Sequence, residues 1–197
     1  MAEHLSIYHE PGRYAGWPAN YGLWAWGDEI VVGFTAGYFQ GGEQFHTRDR
    51  GRPFATMQAR SLDGGGAWRV TPMPCPTPGN RALSADEHME PHLHAAATLE
   101  SGPNAPQPHP GRVDFTHPDF ALMCARTGLL AGAQSWFYTS IDRCRTWQGP
   151  FRLPMFGQTG IAARTDYLVS DRDTCTLFLT ASKPNGEEGR VFCARTT

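Results

Sequence analysis

The stretch that decides the fold is Ser61-Leu62-Asp63-Gly64-Gly65-Gly66-Ala67-Trp68, and it recurs in altered form as Ser140-Ile141-Asp142-Arg143-Cys144-Arg145-Thr146-Trp147. Both copies fit Ser-x-Asp-x-x-x-x-Trp, and in each an apolar, β-prone run leads into the serine, at residues 54–59 and 135–138. In a tight turn the Asp and Ser side chains accept hydrogen bonds from turn amides, and a Trp can fold back over the turn as an apolar lid. The repeat therefore predicts one type of β-hairpin that is used twice.

The fifth position of the pattern distinguishes the two copies. Gly65 permits the positive φ that such a turn needs, whereas the second copy has Cys144 in its place. We expect the second turn to be strained or distorted at that residue.

The composition of the 197-residue chain favours strands and turns over helices. It contains 22 Gly, 16 Pro and 12% aromatic residues, while Lys and Glu are sparse. The formal net charge is -2, whereas binding to nucleic acid or to an anionic membrane usually requires a basic excess. We therefore predict an all-β protein with neither nucleic acid nor membrane as a partner, and its oligomeric state stays open.

Two further features bear on the location of the protein. Residues 1–8 lack the basic start and apolar run of a signal peptide, and no stretch approaches the roughly 20 apolar residues that cross a bilayer. The five cysteines are odd in number and lack Cys-x-x-Cys spacing, which argues against a disulfide framework or a zinc site. We expect a cytoplasmic protein, with a secreted form left open.

The two copies resemble the Asp-box repeat, also called the BNR repeat, Ser-x-Asp-x-Gly-x-x-Trp, of bacterial sialidases and related β-propellers. The first copy matches this pattern in full, and the second lacks the Gly. The resemblance implies a sialidase-like propeller of six blades, of which this chain holds about three. Asp-boxes lie on blade edges away from the active centre, so they indicate the fold and not the chemistry.

On this resemblance, residues 1–197 form one propeller domain. Blade 1 spans about 13–70, blade 2 about 118–150 and blade 3 about 158–197, with a Pro- and His-rich insertion or linker at 71–117. Residues 192–197 align with 57–62, where the first Asp-box begins, so we expect an N-terminal fragment that ends inside a third repeat. A helix is expected only at 83–98, and strands are expected at 17–26, 29–34, 54–61, 120–126, 129–138, 163–170, 174–181 and 189–195.

Arg13 is the first candidate for a ligand contact. The segment Gly12-Arg13-Tyr14-Ala15-Gly16-Trp17-Pro18 resembles the sialidase opening, in which an Arg and a following Pro start the innermost strand, although the Arg-to-Pro gap here is five positions instead of two. In that family this Arg grips the substrate carboxylate, a role that suits a planar guanidinium with two parallel donors. The alternative is a solvated surface arginine.

Asp49 is the candidate acid/base. In sialidases an Asp about a dozen residues ahead of the Asp-box Ser has this role, and Asp49 lies twelve residues before Ser61. Such an acid must be partly desolvated, whereas arginine neighbours favour its ionised form, so surface ion pairing is the alternative. His46 is a second candidate for the proton donor. The arginine neighbours are Arg48, Arg50 and Arg52.

Asp119 and Arg164 are further candidates for substrate binding. The sequence His117-Pro118-Asp119 is similar to the Asp-Pro opening of the second sialidase blade with the order reversed, and Asp119 would contact polar groups of a sugar. Arg164 stands at the head of the inner strand of blade 3, on the edge that faces the funnel. Structural pairing of Arg164 with Asp166 or Asp171 is the alternative.

No cofactor is expected, and the residues do not predict a metal site. Residues 87–94 hold three His and two Glu, but they lack the His-Glu-x-x-His pattern, and Pro91 would interrupt a helix that aligned the ligands. The sialidase resemblance implies a Tyr nucleophile activated by a Glu. In that family both residues lie in later blades, which places them beyond residue 197 here.

Two functions of different class fit this sequence. The first is a sialidase-like, retaining exo-glycosidase that acts on terminal sialic acid or a related acidic sugar and is inactive as this fragment. The second is a non-catalytic Asp-box propeller that binds glycan or protein, with aromatic loops at 17–26 and 37–45 stacking on sugars. The first requires Arg13 and Asp49 to converge on one funnel.

Overall fold

The computed structural model describes residues 3–43, 47–78 and 103–196. Strand makes up 44% of the structure and helix 3%, so the predicted all-β class is confirmed. The helix expected at 83–98 lies outside the described residues. Across the residues that are described, no helix is long and apolar enough to cross a membrane.

Sheet 1 is built from the first third of the chain. Its elements are β1 (Arg13–Gly16), α1 (Pro18–Tyr21), β2 (Leu23–Trp26), β3 (Glu29–Tyr38), β4 (Ala55–Ser61) and β5 (Arg69–Pro72). β3 pairs antiparallel with β4, and β4 pairs with β5. On its other edge, β3 pairs with β1 along one half and with β2 along the other half. The sheet therefore has four strand positions, and two short strands share the first of them.

The prediction of one continuous strand over 17–26 is wrong, because the chain makes a helical turn between β1 and β2. Trp17 has a left-handed φ of 57°, and Pro18 follows as the first residue of α1, where its missing N–H would have no helical partner anyway. The Gly22 amide closes the turn on the Pro18 carbonyl. A Cβ at Gly22 would lie 2.6 Å from Thr165 Cγ2, so the turn packs directly against the last third of the chain.

Sheets 2 and 3 are three-stranded and antiparallel. Sheet 2 contains β6 (Ala121–Arg126), β7 (Ser135–Ser140) and β8 (Gln148–Arg152), and sheet 3 contains β9 (Ile161–Val169), β10 (Cys175–Ser182) and β11 (Glu188–Arg195).

The strand expected at 129–138 corresponds to β7 and begins only at Ser135. Residues 130–133 instead form a turn that is closed by a hydrogen bond from the Ala133 amide to the Leu130 carbonyl.

Sheet 2 lies between the other two sheets. All six residues of β6 are buried, and alternate residues face opposite neighbours, as the period of a strand requires. Met123 lies in a core with Tyr21 and Val31 of sheet 1, and Leu122 lies in a second core with Ile161 of sheet 3. The three sheets therefore stack in chain order, each burying a face against the next.

Side chains of sheet 3 bond the edge of β6 that faces away from β7. The Thr165 hydroxyl accepts a hydrogen bond from the Cys124 amide at 3.0 Å and donates to the Asn20 carbonyl at 3.0 Å. Two residues further along β9, the Tyr167 hydroxyl accepts from the Leu122 amide at 3.3 Å. These hydrogen bonds join β9 to β6 and to α1, which lies between β1 and β2. We call this junction of the three sheets, at the first strand of each, the seam.

The serine of each repeat closes the same turn. Its hydroxyl accepts a hydrogen bond from the amide four residues later, at 2.8 Å from Gly65 to Ser61 and at 3.0 Å from Cys144 to Ser140. The same hydroxyl donates to the aspartate two residues later, at 2.7 Å in the first copy and 2.8 Å in the second. The prediction of one hairpin used twice is confirmed.

The aspartate of each repeat accepts hydrogen bonds from amides near the end of the turn. Asp63 Oδ1 accepts from the Ala67 amide at 3.0 Å, and Asp142 Oδ1 accepts from the Thr146 amide at 2.9 Å. Hydrogen bonds from the turn hold the pKa of Asp63 below its usual value. Burial raises the pKa of Asp142, but hydrogen bonds from Thr146 and the other turn groups more than offset this and leave it lowered.

The strain expected at Cys144 is present. Cys144 has a φ of 61°, where Gly65 has a φ of 103°, so the second copy adopts the left-handed turn without a glycine. A left-handed residue with a Cβ costs about 1–2 kcal/mol. Cys144 is fully buried in the core between sheets 1 and 2, which offsets part of this cost.

Glu29, at the start of β3, ties sheet 1 to the second repeat. Its buried carboxylate accepts hydrogen bonds from Arg60 of β4, from Arg143 Nη1 at 3.1 Å and from Arg145 Nη2 at 2.9 Å. Burial alone would raise the pKa of Glu29, but the three guanidiniums more than offset it and hold the pKa below its usual value. Sheets 1 and 2 are therefore held together by ion pairs between Glu29 and the arginines of the second repeat, as well as by apolar packing.

Candidate functional site

Arg13 lies at one end of sheet 1, where β1 begins. Its register partner on β3 is Tyr38, so the two side chains project from the same face of the sheet. Arg13 Nε donates to the Gly37 carbonyl at 2.7 Å, and the guanidinium carbon lies 4.4 Å from the centre of the Tyr38 ring. This half-buried guanidinium is therefore fixed in place through its Nε.

A second arginine contacts the same ring. The guanidinium carbon of the exposed Arg52 lies 3.0 Å from the centre of Tyr38, and we call Arg13, Tyr38 and Arg52 the arginine–tyrosine cluster. An aromatic ring orients a guanidinium without neutralising its charge. Within residues 3–43, 47–78 and 103–196, neither arginine pairs with a carboxylate, so two positive charges remain available at this end of the sheet.

Asp49 lies next to Tyr38 of the cluster, on the edge of β3 opposite to the edge that pairs with β1. Its amide donates to the Tyr38 carbonyl at 2.8 Å, and its Oδ1 accepts from the Gly51 amide at 3.0 Å. The structure therefore brings Arg13 and Asp49 to the same residue of β3, although the two were predicted from separate segments.

On the opposite face of this end of the sheet, a buried arginine is packed among aromatic rings, since Arg48 pairs with Phe39, the residue that follows Tyr38. Arg48 is 6% exposed, and its guanidinium carbon lies 5.2 Å from the centre of the Trp17 ring and 6.0 Å from that of Phe54. Tyr14 packs on Trp17 at 5.3 Å. Burial raises the pKa of Tyr14, and the positive charge of Arg48 opposes that rise. This cationic and aromatic group therefore lies on the other face of the sheet from the arginine–tyrosine cluster.

The other two predicted residues are placed elsewhere. Asp119 Oδ1 accepts from Arg143 Nε at 2.5 Å, and its carbonyl accepts from the Arg143 amide at 3.1 Å, so this aspartate supports the second repeat. Arg164 lies half-buried on β9, beside Ala163, whose carbonyl accepts from Arg126 at 3.3 Å. Neither residue belongs to the arginine–tyrosine cluster.

Two sequence hypotheses concern residues outside the described ranges. His46, the second candidate for the proton donor, and the His- and Glu-containing run at 87–94 both lie there. Among the described residues, no group of three His, Cys, Asp or Glu side chains is placed to hold a metal ion.

Tyr38 is the member of the cluster that the sequence did not single out. It is the last residue of the ten-residue strand β3, and its importance comes from standing opposite Arg13 in the register. An aromatic residue at a strand end, followed by a loop rich in arginine, is a weak signal of such a platform. The strand pairing is needed to show that both arginines contact it.

No protein-family model matches the sequence, and no curated protein matches it. A similar solved structure is that of a protein of unknown function from Dyadobacter fermentans, with a TM-score of 0.52 over 96% of this chain and 13% sequence identity. This chain spans 54% of the length of that protein. At this identity the likeness concerns the fold alone.

Proposed function

We propose that this chain forms part of a sialidase-like Asp-box β-propeller that binds the carboxylate of a terminal acidic sugar at the arginine–tyrosine cluster. The observation that carries the proposal is the pairing of Arg13 with Tyr38 where the first strand begins. Arg52 on the same ring adds a second positive charge.

Three features of the fold support the propeller. The repeated turns share their hydrogen bonds, the three antiparallel sheets stack in chain order, and the first strand positions of all three meet at one seam. Stacked blades whose inner strands converge are the arrangement of a propeller. On this interpretation, β1 with β2, β6 and β9 are the inner strands.

The chemistry of the cluster suits an acidic sugar. A guanidinium donates two parallel hydrogen bonds to a carboxylate and stays charged at any pH of interest. The Tyr38 ring contacts both guanidiniums and so orients two positive charges at one end of the sheet. A neutral sugar would leave the two positive charges unmatched.

Hydrolysis with Asp49 as the acid/base is the enzymatic form of this proposal. Its position beside Tyr38 favours such a role. A non-catalytic glycan-binding propeller is the second candidate, and one observation favours it: Asp49 Oδ1 already accepts a hydrogen bond from the Gly51 amide, so one oxygen is committed to the loop.

Titration with N-acetylneuraminic acid, followed by saturation-transfer NMR and calorimetry, tests the binding site. We expect Arg52→Ala to weaken binding about tenfold, the equivalent of one charge-assisted contact. Arg69→Ala, a change of another exposed arginine, on β5, should leave binding unchanged. Tyr38→Phe should also bind normally because the ring is kept, and Tyr38→Leu should not. Equal binding by all four variants, or equal binding of neutral N-acetylglucosamine, would refute the proposal.

A fluorogenic sialoside tests the enzymatic form of the function. Turnover that Asp49→Asn abolishes, with binding retained, supports the hydrolase. Turnover that Asp49→Asn leaves unchanged would rule out Asp49 as its acid/base.

A further inference from the structure

The outer edges of sheets 1 and 2 are each protected against the addition of a further strand. On sheet 2, the segment before β6 bonds to β8: the Gln107 amide donates to the Pro150 carbonyl at 3.0 Å, and the Arg152 amide donates to the Gln107 carbonyl at 2.8 Å. On sheet 1, the outer strand β5 has only four residues and ends at Pro72, which has no N–H to offer. Short strands, prolines and covering segments are devices by which proteins limit pairing at a sheet edge.

The outer edge of sheet 3 has none of these devices among the described residues. Its last strand, β11, is eight residues long, contains no proline and pairs with β10 alone. Val191, near the middle of the strand, is 78% exposed, and Cys193 and Arg195 are exposed as well. An edge strand of this length with accessible backbone groups is a template for pairing with another chain.

The pairing with β10 determines which backbone groups of β11 face the open edge. The Thr196 amide donates to the Cys175 carbonyl at 3.0 Å, in line with the register of the two strands. In an antiparallel ladder, successive residues of a strand direct their N–H and C=O groups alternately to one side and to the other. The residues of β11 that bond β10 therefore alternate with Val191, Cys193 and Arg195, whose N–H and C=O groups point to the open edge.

These three residues are complementary to the same three residues of an identical strand. A two-fold axis at Cys193 sets this residue opposite its own copy and sets Val191 opposite Arg195 of the partner subunit, so each of the three finds a hydrogen-bonding partner. On the other face of the strand, Arg190 stands opposite Thr196 of the partner subunit. In this register no like charges stand directly opposite one another, an arrangement that would oppose the pairing.

We propose that β11 pairs with β11 of a second copy of this chain about a two-fold axis at Cys193, which joins the two three-stranded sheets into one antiparallel sheet of six strands. A single strand pair buries less area than a standard protein–protein interface, so the dimer forms at moderate concentration and dissociates on dilution. This inference concerns sheet 3 and goes beyond the proposed function, whose arginine–tyrosine cluster lies at sheet 1.

Sedimentation velocity of the chain, from about 1 µM to about 1 mM, tests the proposal, and we expect a change from monomer to dimer within this range. Cys193→Pro removes an N–H of the open edge but no hydrogen bond to β10, so it should stay folded by circular dichroism and lose the dimer. Cys193→Ser keeps the amide and should dimerise like wild type. A monomer at every concentration, or equally strong dimers of the two variants, would overturn the proposal.

An exchange of charges tests the register without a proline. Val191→Lys places a cation opposite Arg195 of the partner subunit in both halves of the interface, so it should raise the dissociation constant about tenfold. The addition of Arg195→Glu makes the same two pairs attractive and should restore the dimer. Leu168→Lys, at an exposed position of β9, is the control and should dimerise like wild type. Failure of the second change to restore the dimer would refute the pairing in this register.

Cross-linking with a short bismaleimide measures proximity across the two-fold axis. Residues of a hydrogen-bonded antiparallel pair have Cα atoms about 5.5 Å apart, so the two Cys193 thiols of the dimer should be linked rapidly. Ser170→Cys combined with Cys193→Ser moves the thiol to an exposed position after β9 and should be linked far more slowly. Equal rates for the two proteins would overturn the proposal. None of these results bears on the sugar site at Arg13, which has its own variants.

Discussion

Trp24 of sheet 1 donates its indole Nε1–H to the Tyr167 hydroxyl of sheet 3 at 3.1 Å, across 143 positions of sequence. The same hydroxyl accepts from the Leu122 amide of sheet 2. Burial raises the pKa of Tyr167, and these two hydrogen bonds oppose the rise. One phenol oxygen therefore links all three sheets.

Tyr167→Phe should destabilise the protein, since it keeps the ring but leaves the Trp24 indole and the Leu122 amide without an acceptor. Losing the partner of a buried donor costs about 1–3 kcal/mol, and we expect a decrease near the middle of that range in the free energy of unfolding by urea. Tyr8→Phe is the control, because the Tyr8 hydroxyl donates only to the exposed Glu10. Equal effects of the two changes would contradict the role of this seam.

Glu29→Gln should also destabilise the protein at neutral pH, by about 2 kcal/mol, since it leaves three arginines around a neutral group. The pKa of Glu29 is lower in the folded state than its ordinary value of 4.5. Its contribution to stability is therefore complete above about pH 4.5 and is lost as the pH falls through the lowered folded pKa. The difference between wild type and variant, measured by urea unfolding from pH 7 to pH 3, should shrink in that acid range. Glu10→Gln, a change at an exposed position, is the control and should alter the free energy of unfolding little at neutral pH.

Ser61→Ala and Ser140→Ala should have matching effects, because each serine accepts the buried amide four residues later in the same geometry. We expect each variant to lose about 1–2 kcal/mol in chemical denaturation, and the two losses to agree within about 0.5 kcal/mol. Ser6→Ala, at an exposed position, should cost little. A large difference between the two repeats would show that their turns are not equivalent.

Thiol labelling should distinguish one cysteine from the other four. Burial raises the pKa of Cys75 and Cys124 to about 12 and that of Cys175 to about 11, and it raises the pKa of Cys144 as well. Cys193 on β11 is exposed. We therefore expect a thiol reagent at pH 8 to modify one group rapidly and the rest only after denaturation. Cys193→Ser should remove the rapid phase, and its persistence would contradict the placement of β11.

The repeated turn could be predicted from the sequence because its chemistry is local. A Ser and an Asp two residues later find their partners within the same eight residues in both copies. The Trp does so only in the first copy, where Trp68 Nε1 donates to the Gly65 carbonyl at 2.8 Å; the Trp147 ring packs on Trp24 of sheet 1, with ring centres 5.4 Å apart. Of the two strands that lead into the turns, β4 begins within one residue of the expected range, whereas β7 begins six residues later than the strand expected at 129–138.

Other features depend on contacts between distant segments. The helical turn at Pro18–Tyr21 exists because Trp17 takes a left-handed φ and Gly22 packs against Thr165, and no local pattern indicates either. Arg13 and Asp49 could be proposed from the sequence, but Tyr38 between them appears only once the register of β1 and β3 is known. Asp119 is bound by Arg143 through a pairing that its own segment does not suggest.

The hydroxyls of Thr165 and Tyr167 have a consequence for association between molecules. A strand with free amides along one side is a template onto which a foreign chain can add and start an aggregate. On β6 the amides of Cys124 and Leu122 are already occupied by those hydroxyls, so an incoming strand would find no donors there. The contacts that hold the three sheets together thus also protect β6, whose six residues are all buried, against intermolecular pairing.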